Sequence, residues 1–306
     1  MRKIFLGVKI LILVLLCVLL VRMGLLRRSV QRVPVQEGPQ VVVSGYVPYT
    51  LVKQISGGTL PVTMLMPPNA EPHSFEPSPG VLVGMQRAGA FIYISDELEP
   101  WAKDLLAALR ENTPVLALSR ALPERSGAHT AEQDPHIWMN LDNASYMARA
   151  VKDLLVRLAP ENETLYENNL SEFLAQVDAL KQDFQTLANC PQKEVVHIGH
   201  LAFGALTTPY GLRLTALSGT SHEGEHSARK LAELTKLIKQ SGAKTIFTEE
   251  TLSGRLANAV AQETGAQLLP LYSVEHISKT DFTDGVSYVQ LMRRNLDNLK
   301  RGLSCP

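Results

Sequence analysis

Three histidines in this chain share a setting suited to holding a metal ion. His73 sits in the run Pro67-Pro68-Asn69-Ala70-Glu71-Pro72-His73-Ser74-Phe75-Glu76-Pro77-Ser78-Pro79, and His136 in Asp134-Pro135-His136-Ile137-Trp138-Met139-Asn140. His200 follows an apolar run at 195–198. Proline fixes φ at about −65°, so a loop stiffened in this way presents its imidazole with little backbone freedom left to lose. A carboxylate, Glu275, follows another apolar run at 268–269. Three imidazoles and one carboxylate complete the tetrahedral shell of a divalent cation. Glu249 and Glu250, after the run at 246–247, and His276, beside Glu275, are rival donors for the fourth corner. His197 falls inside a strand pattern and is expected to be packed. His222 and His226 occupy a polar stretch before a helix, where a solvated loop is expected rather than a weak metal site. Trp138 and Phe203 are expected to pack around the site and exclude water.

Such donors need a frame that ends several strands at one place. Apolar runs at 41–44, 62–66, 90–94 and 114–118 read as strands, separated by helical patterns at 49–56, 79–87 and 99–112. A helical pattern at 143–158 is followed by the longest amphipathic stretch in the chain. There Leu170, Phe173, Leu174, Val177, Leu180, Phe184 and Leu187 keep to one face, after Pro160 and before Asn189. The alternation then restarts, with strands at 194–198, 213–217, 245–248 and 267–269. Helices are expected at 227–241, with Ser227 as N-cap, and at 255–264 and 286–301. Strands alternating with helices argue for parallel sheets wrapped by helices. The predicted architecture is therefore α/β: two open, mostly parallel lobes joined by a long rigid helix. The expected organisation is a signal or anchor segment at 1–28, a linker at 29–40, an N-terminal lobe at 41–142, a helical segment at 143–189 and a C-terminal lobe at 190–306. In open α/β sheets ligands bind beyond the carboxyl ends of the strands, which is where His73, His200 and Glu275 fall.

The 306 residues carry 30 Lys+Arg against 30 Asp+Glu, and 45% are hydrophobic. This balance gives no electrostatic reason to bind nucleic acid or acidic lipid. The length is enough for a substantial core. At the N-terminus Arg2 and Lys3 precede an apolar run at 10–21, closed by Arg22 with Arg27 and Arg28 beyond. A run this short matches a signal-peptide core better than a full membrane span. No small-x-small cleavage site follows, however, and Leu15-Leu16 stand where a lipidated Cys17 wants a small residue. Lys9 and Arg22 can snorkel and so lengthen a span. An uncleaved anchor, cleavage and lipidation at Cys17 remain open, and each exports the rest of the chain. Outside the cytoplasm Cys190 and Cys305 can pair, closing a loop worth roughly 4 kcal/mol on the loop-entropy account.

The segments Glu71-Pro72-His73-Ser74-Phe75-Glu76-Pro77-Ser78, Asp134-Pro135-His136-Ile137-Trp138 and His200-Leu201-Ala202-Phe203-Gly204 resemble one family in combination. They are similar to the zinc- and manganese-binding solute-binding proteins of bacterial ABC importers, the TroA-like or cluster A-I group, over about residues 40–303. The resemblance implies two α/β lobes joined by a rigid helix, here 161–188, with the metal between them. It implies His73, His136 and His200 as the first three ligands. It places the fourth in Leu271-Tyr272-Ser273-Val274-Glu275-His276, where Glu275 matches the zinc-binding streptococcal pattern and Val274 stands where other members have Asp. Manganese-preferring relatives tend to replace the third histidine by a carboxylate, so His200 favours zinc, with manganese or iron as the alternative. Zinc members often carry a long His-rich loop before the second ligand, and only His129 stands there in this chain. The function implied is extracytoplasmic binding of a divalent metal and its delivery to an ABC-type membrane permease, by a monomer that is not an enzyme. A secreted zinc hydrolase is the alternative from another class. It would need an open coordination position and a base such as Glu249 or Glu250, and the chain's H-E-x-x-H string, His222-Glu223-Gly224-Glu225-His226, falls in the stretch expected to be a solvated loop before a helix rather than in a helix. An adhesin role would use the same site.

Overall fold

The computed structural model describes residues 39–123, 134–217, 228–249 and 254–306. The N-terminal segment with Cys17 lies outside the described residues, as do His129, His222, His226, Ser227 and Glu250.

Two parallel sheets carry the architecture. The first contains β1 (Val41–Val43), β2 (Val62–Met64), β3 (Ala90–Tyr93) and β4 (Val115–Ala117), in the order β2-β1-β3-β4. The second contains β5 (Glu194–Ile198), β6 (Arg213–Ala216), β7 (Thr245–Glu249) and β8 (Gln267–Leu271), in the order β6-β5-β7-β8. Both lobes thus repeat one strand order, which reverses direction at the first strand. That reversal opens a crevice at the carboxyl end of each sheet. Successive side chains face opposite ways: Val41 and Val43 enter the main core while Val42 joins an outer cluster, and Ala90 and Ile92 alternate likewise with Phe91 and Tyr93. Strands β1 and β3, buried at every position, read as continuous apolar runs rather than as alternating ones.

The helices are α1 (Tyr46–Ser56), α2 (Pro79–Met85), α3 (Ala102–Ala108), α4 (Leu141–Leu158), α5 (Glu163–Gln185), α6 (Gly204–Thr207), α7 (Ala228–Ser241), α8 (Gly254–Thr264), α9 (Lys279–Thr283) and α10 (Tyr288–Gly302). The connecting rod is α5, whose 23 residues span about 34 Å. Its buried stripe is Tyr166, Leu170, Phe173, Val177, Leu180 and Phe184. The rod grips elements of both lobes. Asn169 Nδ2 donates to the Ile55 carbonyl at 2.9 Å, the Phe173 ring lies 6.2 Å from that of Tyr288, and Asp183 pairs with Arg293. Just past the rod, Cys190 forms a disulfide with Cys305, the two Cα atoms 4.4 Å apart.

Several boundaries differ from the sequence pattern for local reasons. Helix α3 begins at Ala102 rather than Glu99, because the fully buried Glu99 carboxylate turns inward to accept the Ile94 N–H at 2.5 Å. Strand β8 runs on through Pro270 to Leu271. It is an edge strand, where a proline's missing N–H is tolerated. Helix α10 starts at Tyr288 because Ser287 forms a capping box with Gln290. The short helix α9 and the 3-10 turns Leu118–Ala121 and Ile137–Met139 were not legible from periodicity.

Candidate metal centre

His73, His200 and Glu275 leave the carboxyl ends of strands, and His136 comes from the loop before a helix. His73 lies on the loop leaving β2, where Asn69 turns with φ 67° and the Ala70 N–H donates to Pro67 O at 3.1 Å. Trp101 Nε1 donates to Pro72 O at 2.7 Å, and the Phe75 ring packs edge-on against Trp101, so the loop is fastened on both sides of His73. His136 lies beyond β4, immediately before the turn Ile137–Met139 that leads into α4, which Asn140 caps. His200 follows β5 by one glycine. Glu275 lies on the loop leaving β8.

The structure brings His73, His136, His200 and Glu275 together: one donor atom from each lies within 4.8 Å of all the others. His200 Nε2 is 3.0 Å from His136 Nε2 and 2.9 Å from Glu275 Oε1, and His136 Nε2 is 3.4 Å from Glu275 Oε2. A tetrahedral shell with bonds of about 2.0–2.1 Å has edges of about 3.3 Å, so these separations fit one small cation held by four donors. His136 and His200 are fully buried, Glu275 nearly so, and His73 partly exposed. Of the four, His73 is therefore the one facing solvent.

Two carboxylates stand behind the imidazoles. Asp134 Oδ1 accepts the His136 backbone N–H at 3.0 Å and lies 2.8 Å from its Nδ1. Glu249 Oε1 accepts the His200 backbone N–H at 3.1 Å and makes a short contact with its Nδ1. In each case the Nδ1–H is engaged and Nε2 is turned toward the cluster, an arrangement that fixes both tautomer and ring direction. Glu249, a rival for the fourth corner by sequence, thus lies on the far side of His200 from the cluster. His276 is also diverted: its Nδ1 donates to Ala70 O at 2.9 Å. His197 is buried within β5 and packs against Phe203, ring centroids 4.8 Å apart. Phe203 therefore supports a core histidine, while Trp138 packs 5.4 Å from the His136 ring as expected of a residue shielding the site.

The electrostatics are those of a site awaiting a cation. Burial drives the His200 imidazole down, but the Glu275 carboxylate, and then Glu249, outweigh it and hold its pKa up at about 10. His136 is raised in the same way against its burial, by Glu275 and Asp134. Burial would raise Glu275, but the two imidazoles hold it well below the carboxylate range. Glu71, which accepts the His73 N–H at 3.2 Å, is pushed up by burial and by Glu275. Negative charge is therefore concentrated around the imidazoles, where a metal dication can replace protons.

Sequence reasoning missed Asp134 and the true place of Glu249. The Asp-x-His spacing was a usable sign for the first. For the second, β5 and β7 pair with Ile198 opposite Thr248, so an acid closing β7 must arrive beside the residue after Gly199.

Residues 41–302 match the family model described as zinc-uptake complex component A, periplasmic (ZnuA). The chain is 30% identical over 277 residues to the high-affinity zinc uptake system protein ZnuA of Bacillus subtilis, covering 86% of this chain and 87% of that protein. It is 31% identical over 276 residues to the zinc-binding lipoprotein AdcA of Streptococcus pneumoniae serotype 4; this covers 85% of the chain but 55% of AdcA, so the chain spans about half of that relative. Among solved structures, the periplasmic zinc binding protein TroA of Treponema pallidum superposes with a TM-score of 0.77 at 25% identity, covering 87% of this chain and 99% of TroA.

Proposed function

Because the chain belongs to the ZnuA family of periplasmic zinc-uptake components, we propose that it captures a zinc ion outside the cytoplasm on His73, His136, His200 and Glu275 and delivers it to an ABC-type membrane permease. The observation that carries this reading is the convergence of three imidazoles and one carboxylate, from loops of both lobes, within 4.8 Å of one another. Residues 41–142 and 190–306 act as the two jaws, 143–189 as their bridge, and 1–28 as the export or anchoring segment. Four protein donors close a tetrahedron and leave no position for an activated water, which suits carriage of the ion rather than hydrolysis. Three imidazoles favour zinc over manganese.

The test is zinc titration of the purified chain with elemental analysis. One zinc per chain is expected, with affinity at least tenfold weaker in His73→Ala and His200→Ala. Unchanged affinity in both variants, or a stoichiometry far from one, overturns the reading. For the fourth corner, Glu275→Ala should alter the coordination sphere itself, whereas Glu249→Ala should weaken binding while leaving four donors in place.

A further inference from the structure

The turn that carries Glu275 adopts a conformation its own sequence resists. Val274 has φ 65°, the left-handed region in which a β-branched side chain is crowded, and it is fully buried. Strain of this kind persists where the surroundings over-determine it, and the neighbouring residues show how. The Tyr272 N–H donates to Asn295 Oδ1 at 2.7 Å, and Asn295 Nδ2 donates back to Tyr272 O at 2.8 Å. Asn295 lies on α10 and is fully buried. Ser273 O accepts from Trp138 Nε1 at 2.7 Å. One residue past the carboxylate, His276 Nδ1 donates to Ala70 O at 2.9 Å. The chain passes between these anchors through the left-handed turn at Val274, and Glu275 emerges facing His200 and His136.

The geometry points to Asn295 and Trp138 as positioning residues that hold the Val274 turn and thereby set the geometry of the fourth metal ligand. The inference rests on the reading of Glu275 as that ligand. Asn295 suits the task because an amide offers one acceptor and one donor to the N–H and C=O of a single residue, a match that a carboxylate lacks. Trp138 follows His136 by two residues and reaches the turn from the opposite lobe. Its indole N–H therefore ties the loop of one ligand to the loop of another.

The experiment uses the full chain with Co²⁺ alone as a spectroscopic probe and Zn²⁺ affinity measured by competition. Four protein donors around Co²⁺ give an intense visible band, which weakens when a displaced ligand is replaced by water. Asn295→Asp keeps the acceptor and loses the donor. It is expected to weaken zinc binding by roughly tenfold to a hundredfold, the range for residues that orient ligands, and to dim the cobalt band. Trp138→Phe removes the N–H together with part of the buried ring and should act in the same direction. It carries the test alone if circular dichroism shows Asn295→Asp unfolded. Reduced thermal stability with affinity and band both unchanged would mean a merely structural role and overturn the inference. Glu275→Ala separates the two levels. If it changes the band while the positioning variants do not, the positioning role fails and the ligand stands; if it changes nothing, the ligand reading itself has failed.

Discussion

Replacing Glu249 by Gln should weaken metal binding without dismantling the site. One oxygen, Glu249 Oε1, accepts the His200 backbone N–H at 3.1 Å and also contacts Nδ1. A glutamine keeps that oxygen, and with it both acceptor roles, and removes only the charge. The charge matters because it makes the imidazole more basic and so a stronger donor through Nε2. The expected loss is about tenfold in zinc affinity, or ~1.4 kcal/mol. Glu249→Leu removes the acceptors as well and leaves two buried donors unpaired, so its cost should approach a hundredfold, ~2.7 kcal/mol. The assay is competition against a chromophoric chelator at neutral pH, with elemental analysis confirming one zinc at saturation for each variant. Equal affinity in all three proteins would refute the backing role. Loss of stoichiometric zinc in Glu249→Gln would refute the geometry, because it would make Glu249 itself a ligand.

Gly199 leaves no room for a side chain: a Cβ there would lie 2.5 Å from His197 Cε1 and 2.7 Å from Glu249 Cδ. Gly199→Ala should therefore displace Glu249 and weaken zinc binding, and an unchanged dissociation constant would show that the contact is unimportant. The Cys190–Cys305 bridge closes a separation of 115 residues and should stabilise the fold by about 4–5 kcal/mol on loop entropy. Urea unfolding with and without reductant measures this, and identical midpoints would contradict it. For pH, the His200 pKa rises from 6.5 to about 10 in the metal-free site. Its stabilisation is therefore complete below about pH 6.5 and is lost as pH climbs toward 10. Glu275 is shifted the other way, so its contribution is present above about pH 4.5 and fades in stronger acid. The metal-free melting temperature should thus fall between pH 6.5 and 10 while zinc affinity rises over the same range, because the metal displaces a proton. Melting scans of the apo chain that rise over that interval would reverse the assignment.

The β/α alternation was legible because sheets covered on both faces write continuous apolar runs, as in Val41–Val43 and Ala90–Tyr93. The rod was legible because Leu170, Phe173, Val177, Leu180 and Phe184 repeat with helical period over about four turns. His73, His136, His200 and Glu275 could be picked out because prolines, or the ends of apolar runs, mark loops that present a side chain. What escaped was everything decided by pairing across the chain. The carboxylate of Glu249 reads as a ligand until the β5–β7 register puts it behind His200. The inward turn of Glu99 shortens α3, and the local sign of it was Pro100, which disfavours helical backbone at the residue before it. The left-handed Val274 is the least legible of all, because valine argues against that conformation and only Asn295, Trp138 and His276 explain it.

The asparagines of α10 have a second effect, on the outer edge of the second sheet. Pro270 and Tyr272 point their backbone groups to the same side of β8, away from β7. The Pro270 carbonyl accepts from Asn298 Nδ2 at 2.8 Å, and both backbone groups of Tyr272 are taken by Asn295. Proline has no N–H to offer there. One helix face, through two side chains three residues apart, thus does at these two positions what a neighbouring strand would do. An apolar edge of this kind would otherwise be a template for strand addition by another copy. With the Pro270 and Tyr272 groups already taken, this stretch of the strand that feeds the fourth ligand has no main-chain partner left to offer another copy.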